Sequence, residues 1–214
     1  METNIKEVQD FYGVIKERRS VRHYDPTFKI SEQELKDILT EATLAPSGAN
    51  LQPWKFIVFN DEAVKEKLLP IANNQKQVVE ASAVIAVLGD LEGYMQAEKI
   101  YASAVEAGNM TEEIKKNLVA NIMGVLSKMD SDSLRNGVLI DCGLVSMQLM
   151  LVAKARGYDT VPMAGFHAGK LKEAFSISDR YVPVMLIAIG KAVQAGHPTG
   201  RLPIEDITFW NGIA

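Results

Sequence analysis

Residues 137–153 read GVLIDCGLVSMQLMLVA, and the fold turns on whether this run crosses a membrane or fills a core. Asp141 interrupts it, and it falls short of the roughly 20 apolar residues that a spanning helix needs. It therefore reads as the heart of a long helix over 132–156, closed by Gly157 at the left-handed cap position. The helix is apolar nearly all round, so it is expected to be buried on more than one side, in a core or at a subunit interface.

Candidate strands lie on both sides of this helix. DTVPMAGF (159–166) is a strand running into a turn, and YVPVMLIAIGKA (181–192) is the last core strand. Upstream, WKFIVFN (54–60) is rich in aromatic and β-branched residues, and AVIAVLGD (83–90) is continuously apolar. Helices are expected at 8–17, 31–45, 61–72, 74–81 and 168–175. Ser31 and Glu34 fit a capping box for the second of these, and Pro46 is expected to end it. Residues 93–129 read as two polar, methionine-containing helices split at AGNMT, and the tail over 195–214 as an extended segment. Helices outweigh strands, and the strands are apolar on both faces. That describes one domain over 1–214, an α/β or α+β sandwich in which helices cover a small sheet.

The chain has 214 residues, 47% hydrophobic and 23% charged, with a formal net charge of -4. A pI near 5.5 argues against a broad basic face for nucleic acid. A lone cysteine, Cys142, forms no internal disulfide and reads as a packed core thiol. Together with a polar amino terminus this points to the cytoplasm, with no membrane partner.

Against that acidic background, ERRSVRHYD (17–25) gathers Arg18, Arg19 and Arg22 around Ser20. Guanidinium forks match phosphate oxygens two at a time, and an anion would turn their mutual repulsion into attraction. The alternative is a solvated basic turn paired with Glu17 and Asp25. There is no P-loop and no GxGxxG after a strand. His23, His167 and His197 are too scattered for a metal site. No nucleophile elbow or triad is evident, so an enzyme built from this chain would rely on a bound cofactor.

RRSVRHYD (18–25) and APSGANLQPWKFIVF (45–59) are followed in order by NNQKQVVEASAVIAV (73–87), VPMAGF (161–166) and GRLP (200–203). This series resembles the FMN-dependent nitroreductase family over nearly the whole chain. The resemblance implies an α+β nitroreductase-like sandwich, with a small, mostly antiparallel sheet flanked by helices, assembled as an intertwined homodimer. It implies that Arg18, Arg19, Ser20 and Arg22 hold the FMN phosphate and ribityl chain, joined by Arg201. Asn74 and Gln77 would meet the pyrimidine side. The turn Pro162, Met163, Ala164 and Gly165 would lie along the ring, with N–H groups of Ala164 and Gly165 near N5 and O4. Pro46, Ser47, Asn50 and Gln52 would reach the flavin from the other subunit. Residues 93–129 would cover the substrate side. The expected activity is hydride transfer from NADH or NADPH through flavin N5 to nitroaromatics, quinones or similar flat acceptors, by a ping-pong cycle. Alternatives within the resemblance are dehalogenation or enone reduction on the same fold, or a flavin carrier or sensor without significant turnover. The chain departs from some relatives at Gln77, where they carry lysine, at Ala164, where they carry glutamate, and at Thr199, an often basic position.

Overall fold

The computed structural model describes residues 10–213. The first helix, α1 (Phe11–Glu17), starts where the Asp10 carboxylate accepts the Gly13 N–H at 3.0 Å; residues 8 and 9 of the expected helix lie outside the described residues. In α2 (Glu32–Ala42), Ser31 accepts the Glu34 N–H at 3.1 Å, as the capping box requires. The helix stops at Ala42, before Pro46 is reached. Leu44 and Ala45 bond three residues back, to Glu41 and Ala42, which tightens the chain out of the α-helix.

After β1 (Trp54–Phe59), α3 (Glu62–Leu68) is capped by Asp61. It ends short of the expected residue 72 because Pro70 has no N–H to bond the Glu66 carbonyl; Asn73 and Asn74, with left-handed φ of 56° and 55°, then turn the chain. This leaves α4 only Gln77–Glu80. Then come β2 (Ala83–Asp90), a single turn at Gly93–Gln96, and two helices, α5 (Ala97–Glu106) and α6 (Glu112–Leu126). The long helix α7 (Ser131–Ala155) leads to β3 (Asp159–Met163), α8 (Ala168–Ala174) and β4 (Tyr181–Gly190). Beyond residue 191 the chain is irregular apart from a short turn at Ile204–Ile207.

The strands form one sheet in the order β1-β2-β4-β3, every neighbouring pair antiparallel. All eight residues of β2 are buried, so alternate side chains must serve two cores. Ile85 and Val87 point to α2 and α7, whereas Val84, Ala86 and Leu88 meet Leu68, Val78 and Leu171 on the opposite face.

Contrary to the expectation from the apolar run alone, α7 is long and apolar enough to cross a membrane by length and composition. Packing assigns it to the core. Val138, Cys142, Val145, Leu149 and Ala153 repeat at helical spacing and are buried against the sheet. Burial pushes the Cys142 thiol up to about 12, as suits an inert core residue. The expected burial on several sides is not met within one chain. Ile140, Leu144 and Met147 stand 66%, 43% and 42% exposed on the outer face. Helix and sheet meet closely at Gly89, where an added Cβ would lie 2.4 Å from Val138 Cγ1. Gly89→Ala is therefore expected to destabilise the fold by about 1–3 kcal/mol. Val138→Ala in the same chain should recover part of that loss in chemical denaturation.

Candidate cofactor and substrate site

The arginine segment follows α1 and joins the sheet beside β3, where Ser20 bridges Thr160 and the Val21 N–H donates to Thr160 O at 3.1 Å. Asp25 accepts from Thr27 Oγ1 at 2.6 Å and from the Thr27 N–H at 2.9 Å. Among the described residues, Arg18, Arg19, Arg22 and Arg201 form no ion pair with a carboxylate. The simple picture of a turn neutralised by Asp25 therefore does not hold.

The tail returns across this segment. An added Cβ at Gly196 would lie 2.6 Å from Arg19 Cβ and 2.9 Å from Ser20 O, so only glycine allows so close a pass. Arg201 is thereby carried to Arg18. Burial, then Arg201, then Arg19 lower the pKa of Arg18. Two guanidinium groups 183 positions apart are thus held close without an ion-paired carboxylate among the described residues. Arg201 Nη1 is oriented by Thr199 Oγ1 and by Gly200 O, each at 2.8 Å. Arg19 Nη1 is committed to the backbone carbonyls of Lys16 and Arg18, which makes Arg19 a brace for the segment. Arg22 is exposed.

Three residues along β3 from Thr160, a distance of about 10 Å, the strand ends at Met163 and turns through Ala164 and Gly165. The Phe166 N–H donates to Ala164 O at 3.1 Å. In a trans peptide the Gly165 N–H points opposite that carbonyl, so it faces outward. The turn is held from behind by residues the sequence analysis did not single out. Asn73 Nδ2 and Gln75 Nε2 donate to Gly165 O at 2.8 and 3.0 Å, and the His167 N–H donates to Ile71 O at 2.9 Å. The pair of left-handed asparagines was the available signal, since such residues mark a chain bent for a purpose. Asn74 itself is exposed. Gln77 is buried, and its Nε2 donates to Gln75 Oε1 at 3.0 Å and contacts Met163 Sδ at 3.4 Å. Its amide nitrogen is therefore turned inward. Pro162 is half-buried within β3.

Pro46, Ser47, Asn50 and Gln52 are not brought to this place. They precede β1, which lies three strand spacings, about 14 Å, from β3. Their loop is rigidly built. Ala49, Asn50 and Gln52 have φ of 48°, 51° and 48°, a costly conformation for residues other than glycine. Hydrogen bonds hold it. Ser47 Oγ accepts the Gln52 N–H at 3.0 Å, and Gln52 Nε2 donates to Asn50 O at 3.1 Å. Asp141 on α7 accepts the Gly48 N–H at 3.1 Å, and Tyr101 on α5 donates to Ala49 O at 2.7 Å. The one acid inside the apolar run thus anchors the loop, and burial raises its pKa above the ordinary carboxylate range.

Behind this loop lies a cavity of about 500 Å3 bounded by α6, α7 and the end of β2. Asp90, fully buried at the end of β2, lies at its edge and is gripped by Arg180, with Nε and Nη2 at 2.6 and 2.8 Å. That grip raises the pKa of Arg180.

The Nitroreductase family model matches residues 15–191. A Bacillus subtilis protein provisionally named NAD(P)H nitroreductase YdgI is 48% identical over 203 residues, covering 94% of this chain and 97% of its own. An Exiguobacterium sibiricum protein provisionally named a nitroreductase, crystallised in complex with FMN, superposes with a TM-score of 0.92 at 52% identity, over 95% of this chain and 98% of its own. The CLA biosynthesis enone reductase of Lactiplantibacillus plantarum is 37% identical over 202 residues, 93% of each chain.

Proposed function

We propose, because the chain belongs to the nitroreductase family, that it is an FMN-dependent oxidoreductase, acting as a cytoplasmic homodimer and passing electrons from NADH or NADPH to a small flat acceptor. The observation that carries this reading is the crowding of Arg18 and Arg201 beside Ser20 with no ion-paired carboxylate among the described residues. A phosphate monoester is the ligand such a cluster fits, since it offers up to two charges and three acceptor oxygens.

The remaining donors suit the rest of FMN. Arg18, Arg22 and Arg201 would hold the phosphate, with Arg19 bracing the segment and Ser20 at the ribityl chain. The interval of about 10 Å along β3 leaves room for that chain before the ring reaches the turn at Pro162, Met163, Ala164 and Gly165. The outward Gly165 N–H, with that of Ala164, would meet the ring edge and stabilise negative charge developing there. Asn74 would face the pyrimidine side, where Gln77 can present its carbonyl oxygen. FMN, when bound, supplies hydride acceptance and donation at ring N5.

Pro46, Ser47, Asn50 and Gln52 fit a role across a subunit boundary. Their loop is braced yet stands at the far sheet edge from the arginines, so it would complete the site of a second copy. The exposed apolar face of α7 supports the same assembly. With α5 and α6 as the cover, acceptors would enter a slot that excludes bulky molecules.

The purified protein should be yellow, with flavin absorption near one per protomer, and should bleach on anaerobic addition of NADH or NADPH. Colourless protein that also fails to take up added FMN would end this reading. Enone reduction is the second reading, favoured by the relative from Lactiplantibacillus plantarum. Turnover of a matched panel of nitro, quinone and enone acceptors separates the two.

A further inference from the structure

We propose that the cavity behind residues 48–53 seats the apolar body of the electron acceptor, and that Asp141 in its wall makes it select uncharged molecules over carboxylates. This rests on the proposed function, which brings the same loop against a flavin.

The cavity's volume, about 500 Å3, lies in the range of small-molecule sites. Its walls are mostly hydrocarbon, from Ile122, Val125, Leu126 and Met129 on α6 and from Leu134 and Val138 on α7. The residues that line it include no lysine, arginine or histidine. They include two carboxylates, and these differ in one respect. Asp90 is matched by Arg180, whereas Asp141 has no cation within ion-pair distance among the described residues. Asp141 meets only the Gly48 N–H, at 3.1 and 3.3 Å from its two oxygens. The cavity therefore carries one uncompensated negative charge in apolar surroundings, and the loop contact fixes where it sits. A carboxylate entering between about 6 and 12 Å from it would be disfavoured by about 100- to 10-fold at an effective dielectric near 20. A neutral nitro, quinone or enone compound would meet no such barrier.

The test is a calorimetric titration of the oxidised holoprotein, without nicotinamide, using a matched pair: 4-nitrobenzamide and 4-nitrobenzoate. The amide should bind at least about tenfold more tightly. Asp141→Asn keeps an oxygen for the Gly48 N–H and removes the charge, so the gap should shrink to within about threefold. Gly137→Phe locates the ligand. Gly137 lines the cavity, and an added Cβ there meets nothing within 4 Å. A phenyl group at that position should fill the space and weaken both ligands. A gap that persists in Asp141→Asn would overturn the proposal. So would undiminished binding in Gly137→Phe, or failure of the wild type to bind the amide. Flavin content is read separately from the absorbance of the same samples. Loss of the FMN reading is thereby distinguished from loss of this one.

Discussion

Replacing Arg18 and Arg201 together by alanine is expected to weaken FMN retention by about 10²- to 10⁴-fold, while the FMN-free protein melts at the same temperature or higher. Each guanidinium would contribute a charge-assisted hydrogen bond to phosphate of about 1.5–3 kcal/mol, so two account for that range. The opposite sign without flavin follows from burial and then from the like charges of Arg201 and Arg19, which together lower the pKa of Arg18. Removing the pair relieves that repulsion and leaves no carboxylate of the described residues unpaired. Arg18 gains more from Arg201 as a test partner than from Arg22, because the tail brings Arg201 to it and Arg22 is exposed. Fluorescence titration of FMN, with thermal melts in its presence and absence, checks both halves. Unchanged FMN affinity would remove the phosphate assignment altogether.

Arg180→Met is expected to destabilise the fold by about 3–5 kcal/mol, the cost of breaking a buried ion pair by deleting one partner. The Asp90 carboxylate is 0% exposed and takes two hydrogen bonds from Arg180. It also accepts the Glu92 N–H at 3.0 Å. Lys55, at 3.9 Å, is the other cation nearby and is too distant to replace the bidentate contact. Asp90→Asn should cost less, since it removes the buried charge and leaves Arg180, 33% exposed at its side chain, able to reach water. Urea denaturation of both variants measures this. Equal and small losses would mean that the pair is only a surface contact. The same staple borders the cavity, so acceptor affinity should fall in Arg180→Met even where the protein remains folded.

Some of this architecture was legible in the chain alone. The strand at 83–90 and the capping boundary at Ser31 agree with the structure because β-propensity and capping are local chemistry. So does the end of α7 at Gly157, reached through the Arg156 cap. The cationic cluster was also visible, as three arginines and a serine in five residues. The helix end at Ala42 was not, since a backbone turn overrides the apolar period there, whereas the end at Leu68 had a local signal in Pro70 that the apolar period masked. Asn73 and Gln75 were overlooked because their task is to hold a carbonyl some 90 residues away.

The sequence by itself determined which segments become strands and helices and where the cationic side chains cluster along the chain. Periodicity, caps and charge act over a few residues, so they can be read in one dimension. Only the tertiary structure decided that Arg201 joins Arg18, that α7 covers the sheet with one face and leaves Ile140, Leu144 and Met147 outside, and that Asp141 anchors the loop at Gly48. Those facts depend on contacts between residues far apart in the chain, whose pairing is settled by how the helices pack over the two faces of the sheet.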